Sequence, residues 1–414
     1  MSEKPLTLIQ LVSEQTVQNL LPVLRLRPDR LVHLAAPRTV HRSSLIAEAA
    51  RQSNRPVELE TVALSAMPGM QETMQATLRA IEDAAQRDTA CLVNFTGGTK
   101  LMSIGAYVAA LKYKTPSIYV DTQDAVFVDG RTGEGLDALL DGDWSFTPIQ
   151  RRITVNAIAV ANGCARVTEG RDWRPWLPLA NHLYQNPADE DRCHEVINGP
   201  RNQPPVLGFP RRAAEWLAAL DTDIPLPPAV AELAVQSGRF RPGTAPNTVR
   251  LPDATRDKLA ALSRLDGAEK VPAFARRLFT AVAPLQDALN FLGGAWWEVI
   301  VAERMKQCGR FRDIRWSAKV GKRESELEED VLAIEGVQIV YVSCKRGGER
   351  SRFLPLLEEI QARARSLGGV YNRRFLAVYK PPSARVLSSL KRRADELGVK
   401  ILFPEDLERL ESFD

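Results

Sequence analysis

The sequence predicts an α/β protein with two sheet-bearing units joined by a less regular connecting region. Three observations predict it. Short β-rich runs alternate with helix-like apolar spacing over residues 1–130. The alternation stops between 131 and 270, where prolines cluster, and it resumes from about 275 to the end. A chain of 414 residues exceeds one ordinary core and is expected to divide at roughly 100–200 residues per domain. The pattern places the divisions at 1–140, 141–275 and 276–414.

In the first unit, the strand candidates are 6–12, 31–36, 57–63, 90–95, 117–122 and 125–129. Helical spacing fills 16–26, 39–51, 69–87 and 100–112 between them. Such alternation reads as βαβ units with a parallel sheet and helices on both faces. The most apolar runs, 92–95 and 118–120, suit strands buried on both sides. In such folds ligands sit beyond the carboxyl ends of the strands, near a switch in strand order.

The connecting region offers a β-like stretch at 153–160, a segment rich in Trp and Pro at 171–179, and helical pieces around 211–220 and 229–236. Prolines at 204–210 and 225–228 mark loops. In the last unit a helix over 284–306 leads to strands at 312–318, 330–335 and 337–344. A helix (354–367), a strand (374–378), a basic helix (383–397) and a short strand (399–403) complete it.

Composition excludes several classes. With 44% hydrophobic and 26% charged residues, the chain is not globally disordered. A net charge of +4 is compatible with a polyanionic partner without requiring one. Five scattered cysteines with no C-x-x-C pair argue against a disulfide framework or a structural zinc site, and for a reducing cytoplasm. The N-terminus lacks the pattern of a signal peptide, and no run approaches the ~20 apolar residues of a membrane span. The expectation is a soluble cytoplasmic protein with no membrane partner. The four histidines do not cluster at metal-ligand spacing.

The sharpest local feature is Leu92-Val93-Asn94-Phe95-Thr96-Gly97-Gly98-Thr99-Lys100-Leu101, an apolar strand, a glycine turn and an immediate helix. Glycines allow backbone N–H groups close to a ligand, and a helix N-terminus favours negative charge. Thr96 and Thr99 can donate hydroxyl bonds, and Lys100 can neutralise a phosphate. The same spacing also fits a plain βα turn with threonine caps. It is not a Walker A loop. A second polar loop, Ser13-Glu14-Gln15-Thr16, is expected on the same rim.

The Val-Asn-Phe-Thr-Gly-Gly-Thr-Lys run, with Met102-Ser103-Ile104-Gly105 and Tyr119-Val120-Asp121-Thr122, resembles CARF domains, the Rossmann-like sensors of type III CRISPR signalling. The resemblance covers roughly residues 5–135. It implies a homodimer binding a cyclic oligoadenylate, cyclic tetra-adenylate foremost, across its two-fold axis. By that resemblance Ser13, Gln15 and Thr16 contact the ligand, and Thr96, Gly97, Gly98, Thr99 and Lys100 form its phosphate cradle.

Near the C-terminus, Glu298, Glu328, Asp330 and Lys345 stand out. A turn at Gly336 joins the runs carrying Asp330 and Lys345, so a hairpin brings Asp330 and the 343–345 tip together. Converging carboxylates can hold a hard divalent cation, which activates water and stabilises a phosphorane, and a lysine can orient that water. A charged strand end is also commonly just solvated. Together with Phe291-Leu292-Gly293-Gly294-Ala295-Trp296-Trp297-Glu298, Ser343-Cys344-Lys345 and Leu367-Gly368-Gly369-Val370-Tyr371, this arrangement resembles the PD-(D/E)xK restriction-endonuclease-like core of CRISPR ancillary nucleases.

That resemblance implies Mn²⁺ or Mg²⁺ held by Glu328, Asp330 and Glu298. It also implies Lys345 as the catalytic lysine and DNA and/or RNA as substrate. Ser343 stands where that family usually has an acidic residue, and which of Glu328 and Glu329 faces the metal stays open. Trp296 and Trp297 read as helix packing. Lys319, Lys322, Arg323, Arg346, Arg350, Arg373, Arg374, Lys391, Arg392 and Arg393 could together bind phosphates without sequence readout. The function expected is a ligand-activated nuclease of little sequence specificity. The alternative is a ligand-responsive nucleic-acid-binding regulator with a weakened or inactive site.

Overall fold

The computed structural model describes residues 4–52, 57–197, 223–238, 240–250, 290–321, 326–347 and 350–412. Strands β1 (Leu6–Leu11), β2 (Arg30–Ala35), β3 (Glu58–Ala63), β4 (Ala90–Asn94), β5 (Ser117–Asp121) and β6 (Val126–Asp129) form the first sheet. Their order is β3-β2-β1-β4-β5-β6, parallel throughout except for the antiparallel β6. This is the Rossmann-like arrangement expected from the alternation.

Period two decides which side each strand residue serves. Leu8, Leu31 and Leu92 join the core with α1 (Val17–Leu26) and α2 (Val40–Gln52). One residue further on, Ile9, Val32 and Val93 join the opposite core with α3 (Met70–Gln86) and α4 (Lys100–Lys112). With both faces covered, β1, β2 and β4 carry largely buried runs rather than alternating ones, while β3 at the edge stays mostly exposed.

After the short helix α5 (Leu136–Leu139) comes α6 (Val155–Ala161). This corrects the β-like reading of 153–160. Thr154 caps the helix by accepting the Ala157 N–H at 3.1 Å, and every residue of α6 except Asn156 is buried. A short run buried all round has no polar stripe to reveal its period, so Val and Ile at 155, 158 and 160 mimic a strand.

Helices α7 (Leu177–Gln185), α8 (Pro187–Ile197) and α9 (Pro228–Gln236) follow, with a small sheet of order β7-β9-β8 (Ile224–Pro225, Thr248–Arg250, Arg241–Pro242). The expected helix at 211–220 and the prolines at 204–210 lie outside the described residues. The helix expected over 284–306 is described from Asn290. From there a π-helical turn, Phe291–Ala295, broken at Gly294, leads into α10 (Trp296–Gln307).

The second sheet has the order β10-β11-β12-β13-β14: Arg312–Val320, Leu327–Glu335, Gln338–Lys345, Asn372–Val378 and Lys400–Leu402. The first three strands are antiparallel neighbours and the last three parallel ones. Helices α11 (Arg350–Gly368) and α12 (Ala384–Leu397) cover one face. The other face packs on α10 and, through Trp176, Leu179, Leu183 and Val230, on the connecting region. Trp297 is fully buried there and donates to the Ala377 carbonyl at 3.1 Å, so the tryptophan pair serves packing. Beyond this, α13 (Pro404–Leu407) ends the described helices longer than one turn. Among the described residues no helix is long and apolar enough to cross a membrane.

A polar row crosses the buried middle of the first sheet. Gln10 sits between His33 of β2 and Asn94 of β4 in the ladder. Gln10 Nε2 donates to His33 Nε2 at 2.9 Å, and Asn94 Nδ2 donates to Gln10 Oε1 and to the Gln18 carbonyl, each at 3.1 Å. An accepting Nε2 makes this imidazole neutral. Burial pulls the His33 pKa from 6.5 down to about 3. As pH falls the unfolded chain therefore takes the proton first, so this contribution is complete above pH 6.5 and is lost progressively toward pH 3. Urea unfolding should lose about 2 kcal/mol between pH 6.5 and pH 5, and His33→Gln should remove that part of the slope.

Candidate functional site

At the carboxyl edge of the first sheet, where the order switches between β1 and β4, lies a cleft of about 870 Å³. Ser13 and Gln15 line it from the loop after β1, Arg38 and Thr39 from the loop after β2, and Thr96 to Met102 from the loop after β4. The loop after β4 folds close against β1. A Cβ at Gly97 would lie 2.1 Å from the Leu11 carbonyl oxygen, and Gly98 has φ +76°. Thr99 caps α4, its hydroxyl accepting the Met102 N–H at 3.3 Å. Lys100, exposed at the first turn of α4, supplies a positive charge on the rim.

Several cradle hydroxyls already hold the loops. The Thr96 hydroxyl donates to Asn94 Oδ1 at 2.6 Å and accepts the Val120 N–H at 2.7 Å, tying β4 to β5. Ser13 Oγ donates to the Gln15 carbonyl at 3.1 Å and accepts the Gln15 N–H at 3.2 Å. Thr16 stands apart from the other candidates. It is 1% exposed, does not line the cleft, and donates its hydroxyl to Asn162 Oδ1 at 3.1 Å. That partner, 146 residues away, holds it inward. The sequence reading gave Met67, Tyr119 and Tyr371 no place on the cleft wall; Met67 lies in no motif, and Tyr119 and Tyr371 stand in motif runs that carry no sign of it, Tyr371 coming from the far end of the chain.

The second cluster forms where β11 and β12 stop pairing, at Val331 opposite Val342. Past that point Asp330 Oδ2 accepts the Cys344 N–H at 2.6 Å. The same oxygen accepts from Ser343 Oγ and from Lys345 Nζ, each at 3.2 Å. Glu298, in the first turn of α10, accepts the Trp316 Nε1–H at 2.8 Å. Burial, then the charge of Asp330, drives the Glu298 pKa well above its usual value, with Lys345 opposing and Glu328 adding least. Burial is the largest influence on Lys345 and opposes its charge, but Asp330, Cys344 and Glu298 together outweigh it and raise the ammonium pKa. Glu298, Asp330 and Lys345 therefore converge.

Glu328 is not at the entrance to a strand but inside β11, which starts at Leu327, and it accepts from the Ser317 hydroxyl. Its neighbour turns away. Glu329 is 2% exposed and accepts from Tyr341 OH at 2.7 Å and from Arg363 Nη1 at 3.0 Å. Glu328 acts on Glu298, whereas Glu329 is held by Tyr341 and Arg363. Among the described residues no three carboxylate, His or Cys side chains form a ready-made metal group.

The flanking basic residues are less available than their number suggests. Arg346 bonds Glu190 and Asp191 of α8, Arg373 pairs with Glu335 at 3.1 Å, and Arg393 pairs with Glu358 and Glu396. Lys319 lies 3.9 Å from Glu326, and Arg374 donates to the Leu397 carbonyl. Lys391 and Arg392 are exposed on α12. Lys322, Arg323 and the side chain of Arg350 lie outside the described residues.

Residues 7–132 match the family model of the Card1 CARF domain. Over nearly its whole length the chain is similar in fold to Can2 from Sulfobacillus thermosulfidooxidans, solved in complex with cyclic tetra-adenylate. The two are 16% identical with a TM-score of 0.63, covering 98% of this chain and 95% of that one. Protein VC1899 from Vibrio cholerae is 15% identical with a TM-score of 0.68, over 98% and 96% of the two chains. A type III CRISPR defence DNA nuclease activated by cyclic oligoadenylate is 18% identical with a TM-score of 0.50. That match takes in 100% of this chain but 52% of the other. At these identities the likeness is one of fold, and it spans the connecting region as well as both sheets. No curated protein sequence matches the chain.

The close approach at Gly97 yields a test. Gly97→Ala must push the loop after β4 off the Leu11 backbone. A loss of about 1–3 kcal/mol in unfolding free energy is expected from urea denaturation.

Proposed function

We propose that the chain is a metal-dependent nuclease switched on by a cyclic oligoadenylate, cyclic tetra-adenylate foremost, in type III CRISPR defence. The observation that carries the reading is the Glu298–Asp330–Lys345 cluster, borne on a chain whose residues 7–132 match a CARF sensor domain. Can2, solved with cyclic tetra-adenylate, and the cyclic-oligoadenylate-activated nuclease share its fold. On this reading 1–140 is the sensor, 141–275 the connecting region and 276–414 the nuclease unit, acting on DNA and/or RNA in the cytoplasm.

For the sensor, the N-terminus of α4 with Lys100 offers backbone N–H groups and a positive charge to phosphates, and Ser13 and Gln15 face it across the cleft. Homodimerisation is supported by α4 itself. Leu101, Ile104 and Leu111 are 55%, 47% and 50% exposed along one side of the helix, an apolar stripe of the kind that marks an interface. An isologous contact there would present the same loops twice to a ligand with its own two-fold symmetry. Ile104→Glu is expected to shift the protein from dimer to monomer in light scattering.

For the nuclease unit, Glu298 and Asp330 fit a divalent cation, because two neighbouring carboxylates with one lysine leave a desolvated Glu298 that added positive charge would relieve. Glu328 would support them. When bound, Mn²⁺ or Mg²⁺ supplies charge neutralisation and Lewis acidity at the scissile phosphodiester. The Trp316 N–H orients Glu298, whose carboxylate stands in for the acidic residue that Ser343 replaces. Ser343 instead donates to Asp330 and holds its carboxylate in place. Lys345, kept protonated beside Asp330, is placed to neutralise a phosphate oxygen and orient the attacking water. A regulator that grips nucleic acid without cutting is the second reading, favoured by Ser343.

Plasmid DNA and single-stranded RNA incubated with Mn²⁺ should be cut only when cyclic tetra-adenylate is added. Lys345→Ala should slow that cutting by about 100-fold or more. Intact substrate under every condition, with the ligand demonstrably bound, would favour the regulator.

A further inference from the structure

One wall of the nucleotide cleft does not come from the first unit. Val370 and Tyr371, in the turn between α11 and β13, line it beside Ser13, Thr96 and Tyr119. Val370 is 49% exposed, and the Tyr371 ring is half-buried, one part resting on the continuous apolar core. The turn is clamped in place. Gly369 has φ +67°, and a Cβ there would lie 2.8 Å from Asn162 Oδ1. Asn162 in turn accepts from Thr16 Oγ1 at 3.1 Å, and its carbonyl accepts from Arg42 Nη1 at 2.8 Å. Asn372 Nδ2 donates to the Gly369 carbonyl at 2.6 Å.

The rest of the cleft explains why a ring is wanted there. The loops after β1 and β4 offer hydroxyls, backbone N–H groups and Lys100, all suited to phosphate and ribose. A purine also presents a broad π-face, which stacks on aromatic side chains with little dependence on its edge pattern. Tyr371 and Tyr119 are the aromatic residues on the cleft wall. We infer that the cleft is a composite site, with Tyr371, flanked by Val370, stacking on a purine base of the bound cyclic nucleotide. The inference rests on the cyclic-oligoadenylate reading given above and adds a C-terminal residue to that site.

The position has a mechanical sequel. Tyr371 lies in the turn after α11, and Arg363 of α11 bonds Glu329, the residue before Asp330. A base seated on Tyr371 thus bears on the turn after the helix that reaches the carboxylate strand through the Arg363–Glu329 pair.

Calorimetric titration of the full chain with cyclic tetra-adenylate tests the inference, using wild type, Tyr371→Ala, Tyr371→Phe and Lys100→Ala. Tyr371→Ala should weaken binding by about 5- to 100-fold, the range set by loss of one base stack. Tyr371→Phe, which keeps the π-face, should stay within about threefold of wild type. Weakening that Tyr371→Phe shares in full would overturn stacking. So would Tyr371→Ala binding like wild type while Lys100→Ala binds weakly. Wild type that does not bind cyclic tetra-adenylate at all would instead bring down the ligand reading on which the inference stands.

Discussion

Helix α6 is buried between two sheets that have no strand in common. Ile158, Val160 and their neighbours pack against α2 of the first unit and against β11 and α11 of the second. One apolar core therefore runs from Leu8 and Ile46 through α6 to Leu332 and Leu357. Burial of this kind is non-directional, yet it fixes distances, because protein interiors are close-packed and side chains cannot slide without opening voids. The position of the cleft relative to the carboxylate cluster depends on that shared core. Moving one sheet against the other must either carry α6 along or expose its apolar residues.

The first sheet was legible from sequence because its signals are local. Period two places Leu8 and Ile9 on opposite faces, and Gly97-Gly98 before a threonine cap announces a strand turning into a helix. The positions of Asp330 and Lys345 could be read from one hairpin. Other features could not. α6 is buried all round, so it lacks the polar stripe that would reveal its period. Thr16 sits in a polar loop but is turned inward by a partner 146 residues away. Tyr371 reaches the cleft only because the tertiary fold brings it there. The basic tally also misleads, since Arg346 and Arg373 spend their charge on Glu190, Asp191 and Glu335.

The carboxylate cluster is built against its own electrostatics. Asp330 is satisfied three times over by a backbone N–H, a hydroxyl and an ammonium. Glu298 is buried beside the negative charge of Asp330 with one indole N–H to oppose them, so its proton affinity rises. Sites that perturb ionisation in this way are where chemistry is commonly found, because the strain on a charged group is relieved by what binds there. Glu329, one residue from Asp330, is instead sealed by Tyr341 and Arg363, so adjacent acids in one strand serve different ends.

The Thr96 and Ser13 hydroxyls are engaged within their own loops, and Gly97 lies against the Leu11 backbone. That half of the cleft is rigid before any ligand arrives. A preformed surface loses little freedom on binding, so less of the contact free energy goes into ordering it. With the turn at Gly369 clamped as well, both walls act as a mould that does not yield, and fit is decided before contact.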